Sequence, residues 1–420
     1  MRVLYIDGVG PFGGASRSLY EAVRALPAGG VDAFFIVQRG TVVPFYRELA
    51  RDIVTTRGLT RFDNTRYGHY RGVRWLVVLR EFSYIPFMIV AILKAKWRWK
   101  SVDLIHANEI TEIIPLLLAR LVFRAPAITH VRSLQRVGER TLRTRWLQRR
   151  LRRDLTAIVA IDENARSTLP ADIAVDVIHN SFTPKAAPQP DLQLLQRLDA
   201  LRPGSLKVGF IGNLHLSKGL FDLLEAARIV QASGSDVQFV IVGGVTRSDA
   251  GLKGWLLGKL GFSQNVQNEV IEKIDRYGLR DSFLLFGHSA DIQRVYERID
   301  VLCFPSHFDA PGRPVFEAAF SAVPSIVAVL KPRPDTLIDG ETGIAVPGHD
   351  VERLAAAIRH FAENRAEVAR MGRNARALAE RNFDPAKNSR QLYELYERVA
   401  RTRDTAAAGA ARRQPNVDTK

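Results

Sequence analysis

Cysteine is almost missing. Cys303 stands alone in 420 residues, which excludes an intramolecular disulfide framework and a cysteine-rich structural zinc site. It lies in the apolar run Val301-Leu302-Cys303-Phe304, where a buried thiol is expected rather than a nucleophile. Long apolar runs are missing too. The uncharged stretch 82–93 contains Pro86 and falls short of the roughly 20 residues a membrane-spanning helix needs. Acids are in deficit, 44 against 60 Lys and Arg, so the net charge is +16. Such a surplus draws polyanions without naming one. The opening residues 1–7 read as a strand reaching an acid and a glycine loop, not as a secretory leader, which predicts a cytoplasmic protein. The length predicts two or three domains.

What is present is one pattern used twice. Residues 3–7 form an apolar strand that feeds Gly8-Val9-Gly10-Pro11-Phe12-Gly13-Gly14, and a helix follows with Leu19, Val23 and Leu26 at helical spacing. Residues 207–211 repeat this, with a loop from Gly212 to Lys218-Gly219 and a helix through Leu223, Ala227 and Val230. Short β-branched runs then alternate with helical stretches, at 33–37, 104–106, 127–130 and 157–160 in the first half. In the second they fall at 238–242, 283–286, 301–304 and 325–329. This alternation predicts α/β domains with parallel sheets covered by helices on both faces. Ligands of such sheets bind beyond the carboxyl ends of the strands. Four prolines (Pro184, Pro188, Pro190 and Pro203) mark a boundary within 183–204. The domains expected are 1–185 and 205–385, joined by a linker 186–204. A final helix 386–401 and a disordered tail 402–420 complete the expectation.

Three segments bear chemistry. Gly8-x-Gly10-x-x-Gly13 after a strand matches the dinucleotide fingerprint. The second strand, however, ends in Gln38-Arg39 instead of an acid, which disfavours NAD and leaves only an NADP oxidoreductase using Arg39. A plain strand-to-helix turn is the bland alternative, and contact of the Gly13 and Gly14 amides with phosphate or sugar the sharper one. Lys218-Gly219 at the mouth of a helix offers the positive charge and backbone N–H groups a diphosphate needs. The third segment is Pro305-Ser306-His307-Phe308-Asp309-Ala310-Pro311-Gly312-Arg313-Pro314-Val315-Phe316-Glu317. A strand ends at Phe304, and a helix begins near Pro314, where proline is favourable and free N–H groups would hold an anion. Glu317 reads either as a helix-capping acid or as a ligand-binding one.

These segments, with Val177-Ile178-His179-Asn180-Ser181, Ile241-Val242-Gly243-Gly244, Gly287 and Gly343…Val346-Pro347, resemble the GT4-type retaining glycosyltransferases of the GT-B fold. The resemblance spans about residues 1–400 and is more specific in the second half. It implies two Rossmann-like doubly wound domains facing a central cleft, with the C-terminal helix returning to the first domain. It implies metal-independent transfer, with retention, of a hexose-type sugar from a nucleotide-diphosphate sugar to a glycan or lipid-linked acceptor, in cell-surface polysaccharide or glycolipid synthesis. No cofactor and no metal are implied, and no Asp-x-Asp manganese motif is visible. By position, Lys218 would pair with the donor diphosphate, helped by Arg313 and the amides of Val315 and Phe316, with Gly13 and Gly14 approaching from the other domain. Glu317 would take the ribose and Gly287-His288-Ser289 the base. His130 and Asp309 would face the transferred sugar as the catalytic pair.

Two positions depart from the family pattern. Its Glu-x7-Glu reads Asp309-x7-Glu317, and the Arg that usually follows the second loop's glycine is Asn213. They keep a non-catalytic nucleotide-sugar-binding protein as an alternative. A last feature is the basic surface: nine arginines between 132 and 153, and Lys94, Lys96, Trp97, Arg98, Trp99 and Lys100 after the apolar stretch 75–93. It fits docking on an anionic membrane surface, on the inner face of the cell membrane, as well as it fits a core helix with a solvated basic face. No nucleic-acid-binding motif accompanies the charge. His106 ends a strand near the expected cleft, with either a structural or a ligand role. His179-Asn180 is expected to shape a turn.

Overall fold

The computed structural model describes residues 1–66, 75–136, 141–185, 187, 189–244 and 266–411. The chain divides into two units, Met1–Phe182 together with the chain from Asp384 onward, and Thr183–Phe383.

The first unit is built on a parallel sheet of β1 (Arg2–Asp7), β2 (Asp32–Gln38), β3 (Asp52–Thr56), β4 (Leu104–Ala107), β5 (Ala127–Val131), β6 (Ala157–Ala160) and β7 (Asp176–Val177). Their order is β3-β2-β1-β4-β5-β6-β7. Both faces are covered, so the strands read as continuous apolar runs rather than alternating ones. One face packs Leu4, Ile6 and Ile105 under Met88, Ile92, Leu116 and Leu147 from three helices. The other packs Tyr5, Phe35 and Val159 under Leu19, Leu392, Leu395 and Tyr396. The last three belong to the helix Pro385–Ala411, so the end of the described chain supplies part of the first unit's core. That helix runs past Arg401, where the sequence placed its end, and residues 402–411 are helical rather than disordered. Residues 412–420 lie outside the described residues, as does Arg140 of the basic segment.

The second unit holds β8 (Leu206–Ile211), β9 (Val237–Val242), β10 (Phe283–Gly287), β11 (Val301–Phe304), β12 (Ser325–Ala328) and β13 (Gly343–Val346). Their order is β10-β9-β8-β11-β12-β13, again all parallel. Strand order reverses between β1 and β4 in one sheet and between β8 and β11 in the other, the crevices where open α/β sheets take ligands. Three strands went unread: β3 and β7, which are short and carry acids, and β13, which begins on glycine. The stretch read as a linker contains the helix Leu192–Asp199, capped by the Asp191 carboxylate and burying Leu194 and Leu198 in the second core.

The helix Val77–Trp99 answers the choice between core and surface with both. Met88, Ala91, Ile92, Ala95 and Trp99 are buried, whereas Leu79, Phe82, Val90, Leu93 and Trp97 are exposed, as are Trp75 and Leu76 before it. Among the described residues, no helix is long and apolar enough to cross a membrane.

Candidate active site

In the second unit, the loops beyond β8, β9, β10 and β11 are joined backbone to backbone. Gly212 N donates to Val242 O at 3.0 Å and Gly243 N to Gly287 O at 2.8 Å. A Cβ on Gly243 would stand 1.8 Å from Gly212 O, so only glycine permits that approach. Beyond β8, residues Leu216–Lys218 form a 3-10 turn ended by Gly219 at φ 72°. This turn is pinned to the loop after β11: His307 N donates to Ser217 O at 3.0 Å, and a Cβ on Gly219 would meet Pro305 O at 1.9 Å.

The pinned turn presents Lys218. Its Nζ lies 4.9 Å from the centre of the Phe308 ring and 5.6 Å from that of Phe304, and burial lowers its pKa below the usual lysine range. No carboxylate among the described residues pairs with it. An ammonium steadied by aromatic faces and lacking a protein counter-charge is suited to an anionic ligand.

Across the turn, Gly312 heads the helix Arg313–Phe320 with Pro314 in its first turn. Gly312 is required because a Cβ there would meet the Phe304 ring at 2.5 Å. Val315 N donates to Gly312 O at 3.0 Å, so one of the two amides expected to serve an anion is engaged inside the turn itself. Arg313 Nε donates to Glu317 Oε1 at 2.9 Å, and Tyr296 OH donates to Glu317 Oε2 at 3.0 Å. Glu317 is thus a buried carboxylate locked by an arginine and a tyrosine, with no capping bond to the helix. The pair spans four residues on one helix face, a spacing that could have been read from the sequence.

Asp309 adopts a left-handed backbone, φ 52°, and its Oδ1 accepts from Leu330 N at 2.8 Å, tying the loop after β11 to the segment after β12. Gly287 has φ 77°. Ser289 is buried and its Oγ donates to Asp191 Oδ2 at 2.8 Å, whereas His288 is exposed. Asn213 is exposed beside Gly212.

In the first unit the strand ends have a different character. Asp7, ending β1, accepts from Ser16 Oγ at 2.7 Å and from the buried Tyr46 hydroxyl. Gly8 N donates to the buried carboxyl of Glu112. Gly13 caps the helix Gly14–Arg24, but its amide donates to Pro11 O at 2.9 Å, which leaves Gly14 at the helix end. A pocket at the ends of β1, β4 and β5 is lined by Val9, Arg61, Asp63, Arg80, Asn108, Glu109 and Ser133. Burial raises the Glu109 carboxyl to about 7, against the lowering effects of the Arg132 charge and of hydrogen bonds from Ile110 N, Arg132 N and Ser133 Oγ. None of these pocket side chains was singled out from sequence.

His130 ends up buried on β5 as the inner member of a relay. Its Nδ1 meets His106 Nε2 at 2.5 Å, and His106 Nδ1 meets Tyr396 OH at 2.6 Å. Burial, reinforced by the Arg132 charge, lowers both imidazole pKa values, that of His106 to about 3. Both rings are therefore neutral at pH 7. His106, left open between structure and ligand, orients His130. Asn180 Oδ1 accepts from Arg132 Nη1 at 2.7 Å, a positioning bond. Cys303 is fully buried, and burial raises its thiol far above the reactive range.

Two parallel α/β units, with an anion-suited turn at the switch point of the second, are the architecture of the GT-B class of nucleotide-sugar enzymes. Residues 12–185 match the model of Glycosyltransferase Family 4, and residues 198–378 that of Glycosyl transferases group 1. The chain belongs to the GT4-type glycosyltransferases, and the oxidoreductase reading falls. HepE of Anabaena, crystallised with UDP, matches with a TM-score of 0.71 at 20% identity, over 94% of this chain and 100% of that one. A glycosyltransferase from Rickettsia africae matches with 0.70 at 16%, over 95% and 98%. These two likenesses bear on the fold alone. Among sequence relatives, the lipopolysaccharide core biosynthesis mannosyltransferase LpsB of Rhizobium meliloti is 22% identical over 70% of this chain and 79% of its own. The capsular polysaccharide biosynthesis glycosyltransferase CapM of Staphylococcus aureus is 22% identical over 49% of each, so that match spans about half of CapM.

Proposed function

We propose that the protein transfers a hexose-type sugar, with retention and without a metal, from a nucleoside-diphosphate sugar to a glycan or lipid-linked acceptor in cell-surface polysaccharide or glycolipid synthesis. The observation that carries this is Lys218, whose ammonium has aromatic faces and, among the described residues, no carboxylate partner at the crossing of the β8 and β11 loops. In this reading Lys218, Arg313 and the helix end at Val315-Phe316 hold the diphosphate. Glu317 takes the ribose, and Gly287, His288 and Ser289 the base. His130 and Asp309 face the sugar.

The bond from sugar C1 to the diphosphate breaks as the acceptor oxygen bonds to C1 on the same face, and the acceptor proton passes to the departing phosphate oxygen. Lys218 stabilises the negative charge that develops there. The names of LpsB and CapM support the assignment to polysaccharide synthesis. The pocket at Arg61, Asn108 and Glu109 is the acceptor subsite of this reading. The exposed face of Val77–Trp99, with its basic flank, docks the protein on the cytoplasmic, anionic surface of the membrane.

A thermal-shift panel of UDP, GDP and ADP with their sugars, followed by calorimetry on Lys218→Ala, tests the donor site. Unchanged nucleotide-sugar binding in the variant would overturn it. Donor binding without turnover or donor hydrolysis across a panel of glycan and lipid acceptors would favour the non-catalytic binder. Flotation on vesicles with and without anionic lipid tests the docking face, and equal failure to float in both sinks it.

A further inference from the structure

Three side chains from separate elements of the second unit converge beside the donor turn. Asp222 lies in the first turn of the helix Leu220–Ala232, His307 in the loop after β11, and His349 in the turn before the helix Val351–Glu363. His307 Nε2 is 2.9 Å from Asp222 Oδ2, and His349 Nδ1 is 3.6 Å from the same oxygen. All three donor atoms lie within 4.8 Å of one another, and the two imidazole rings are 3.8 Å apart.

A hydrogen bond to Asp222 accounts for His307 alone. It does not account for His349, which is exposed, holds a left-handed backbone at φ 64°, and still turns Nδ1 toward a carboxylate oxygen that already has a partner. A shared cation accounts for both. In a tetrahedral zinc site with bonds of roughly 2.0–2.1 Å, neighbouring donor atoms stand about 3.3 Å apart. The two separations measured from Asp222 Oδ2 fall on either side of that value.

We propose that Asp222, His307 and His349 bind a divalent late first-row metal ion, zinc being the best match, with solvent in the fourth position. Two imidazoles and one carboxylate suit zinc, whereas magnesium and calcium prefer all-oxygen shells. None of the three ligands is among the residues assigned to the donor, so the ion is held by the protein and takes no part in the transfer. Its place gives it a role in rigidity. His307 N bonds to Ser217 O, next to Lys218, so a bound ion ties the Lys218 turn, the β11 loop and the 347–350 turn together. It therefore stiffens the platform on which the proposed donor site rests.

The test uses tag-free, chelator-treated full-length protein titrated with cobalt(II) and zinc(II) alone. Expected are stoichiometric cobalt binding with the visible absorption of a tetrahedral ion, displacement by zinc, and a rise in Tm on zinc addition. His349→Ala, at an exposed position that leaves the core untouched, and Asp222→Asn should each weaken zinc binding by more than about tenfold. His360→Ala, removing a histidine elsewhere in the unit, should leave it unchanged. The proposal fails if no saturable uptake occurs at micromolar metal, or if His349→Ala and Asp222→Asn bind zinc as the wild type does. It also fails if His360→Ala weakens binding as much as they do. Because the readout is metal binding, its failure leaves the donor reading untouched, and failure of the donor panel leaves this site untouched.

Discussion

The loops after β1 and after β8 begin alike in sequence, each a strand running into glycines and then a helix, yet they are furnished with different side chains. Around the first stand Asp7, Glu109 and Glu112, all buried, and the Gly8 and Gly13 amides are bound to Glu112 and Pro11. Around the second stands Lys218 between aromatic rings, on a turn that glycine alone lets close against Pro305. A glycine-rich turn is therefore a shape, and its neighbours decide what the shape can hold. Buried carboxyl groups suit hydroxyl-rich ligands, and an ammonium with no carboxylate partner among the described residues suits phosphate.

Substitutions at the two turns should separate them. Gly219→Ala introduces a Cβ at positive φ against Pro305 O and is expected to cost about 3 kcal/mol or more in urea unfolding. Gly13→Ala, with φ −104° and nothing near the added carbon, should stay within about 0.5 kcal/mol. Equal losses would erase the distinction. Lys218→Ala should weaken nucleoside-diphosphate binding by calorimetry about 10- to 100-fold, the worth of a charge-assisted contact. Gly13→Ala should barely change it.

The carboxylate side of the comparison has a pH signature. Glu109 is raised to about 7 from an ordinary value of 4.5, so between those limits the folded protein keeps a proton that the unfolded chain has released. Stability therefore falls as pH rises through that window. Glu109→Gln should gain on the wild type by about 3 kcal/mol between pH 4.5 and 7, measured by denaturation across pH. His106, lowered to about 3 from 6.5, acts oppositely: stability rises with pH between these values. The variant should accordingly show the rise with less of the fall.

A smaller loss is expected at the relay. Tyr396→Phe removes the outer hydrogen bond to His106 and should lower turnover about 3- to 10-fold while leaving donor Kd unchanged. The imidazole nitrogen resonances of His130 should shift. A change in donor affinity instead would mean that Tyr396 acts through packing.

Strand-to-helix alternation showed both sheets in the sequence because strands buried on two faces must be apolar throughout. β3 and β7 escaped because they are short and carry Asp52 and Asp176, and β13 because it opens on Gly343. Lys218, Asp309 and Glu317 could be singled out because each lies in the loop, or the helix start, that follows a strand within one short stretch of sequence. The relay could not, since Tyr396 meets His106 across 290 residues. The Arg61 and Glu109 pocket likewise depends on loops whose meeting no local pattern encodes. Nor could the bond between Gly13 N and Pro11 O be foreseen, because it depends on the fold of the turn rather than on residue type.

The helix Pro385–Ala411 lays Leu392, Leu395, Tyr396 and Val399 against the first sheet, which sets a timetable for the ribosome. The chain up to Phe182 emerges early but lacks part of one hydrophobic face until the residues after Asp384 are made. The second unit, contiguous from Thr183 to Phe383, has every strand in hand before that. Vectorial synthesis thus favours completing the middle of the polypeptide first, with the earliest-born sheet waiting, partly uncovered, for the latest-born helix. Chaperone dependence should concentrate in that interval.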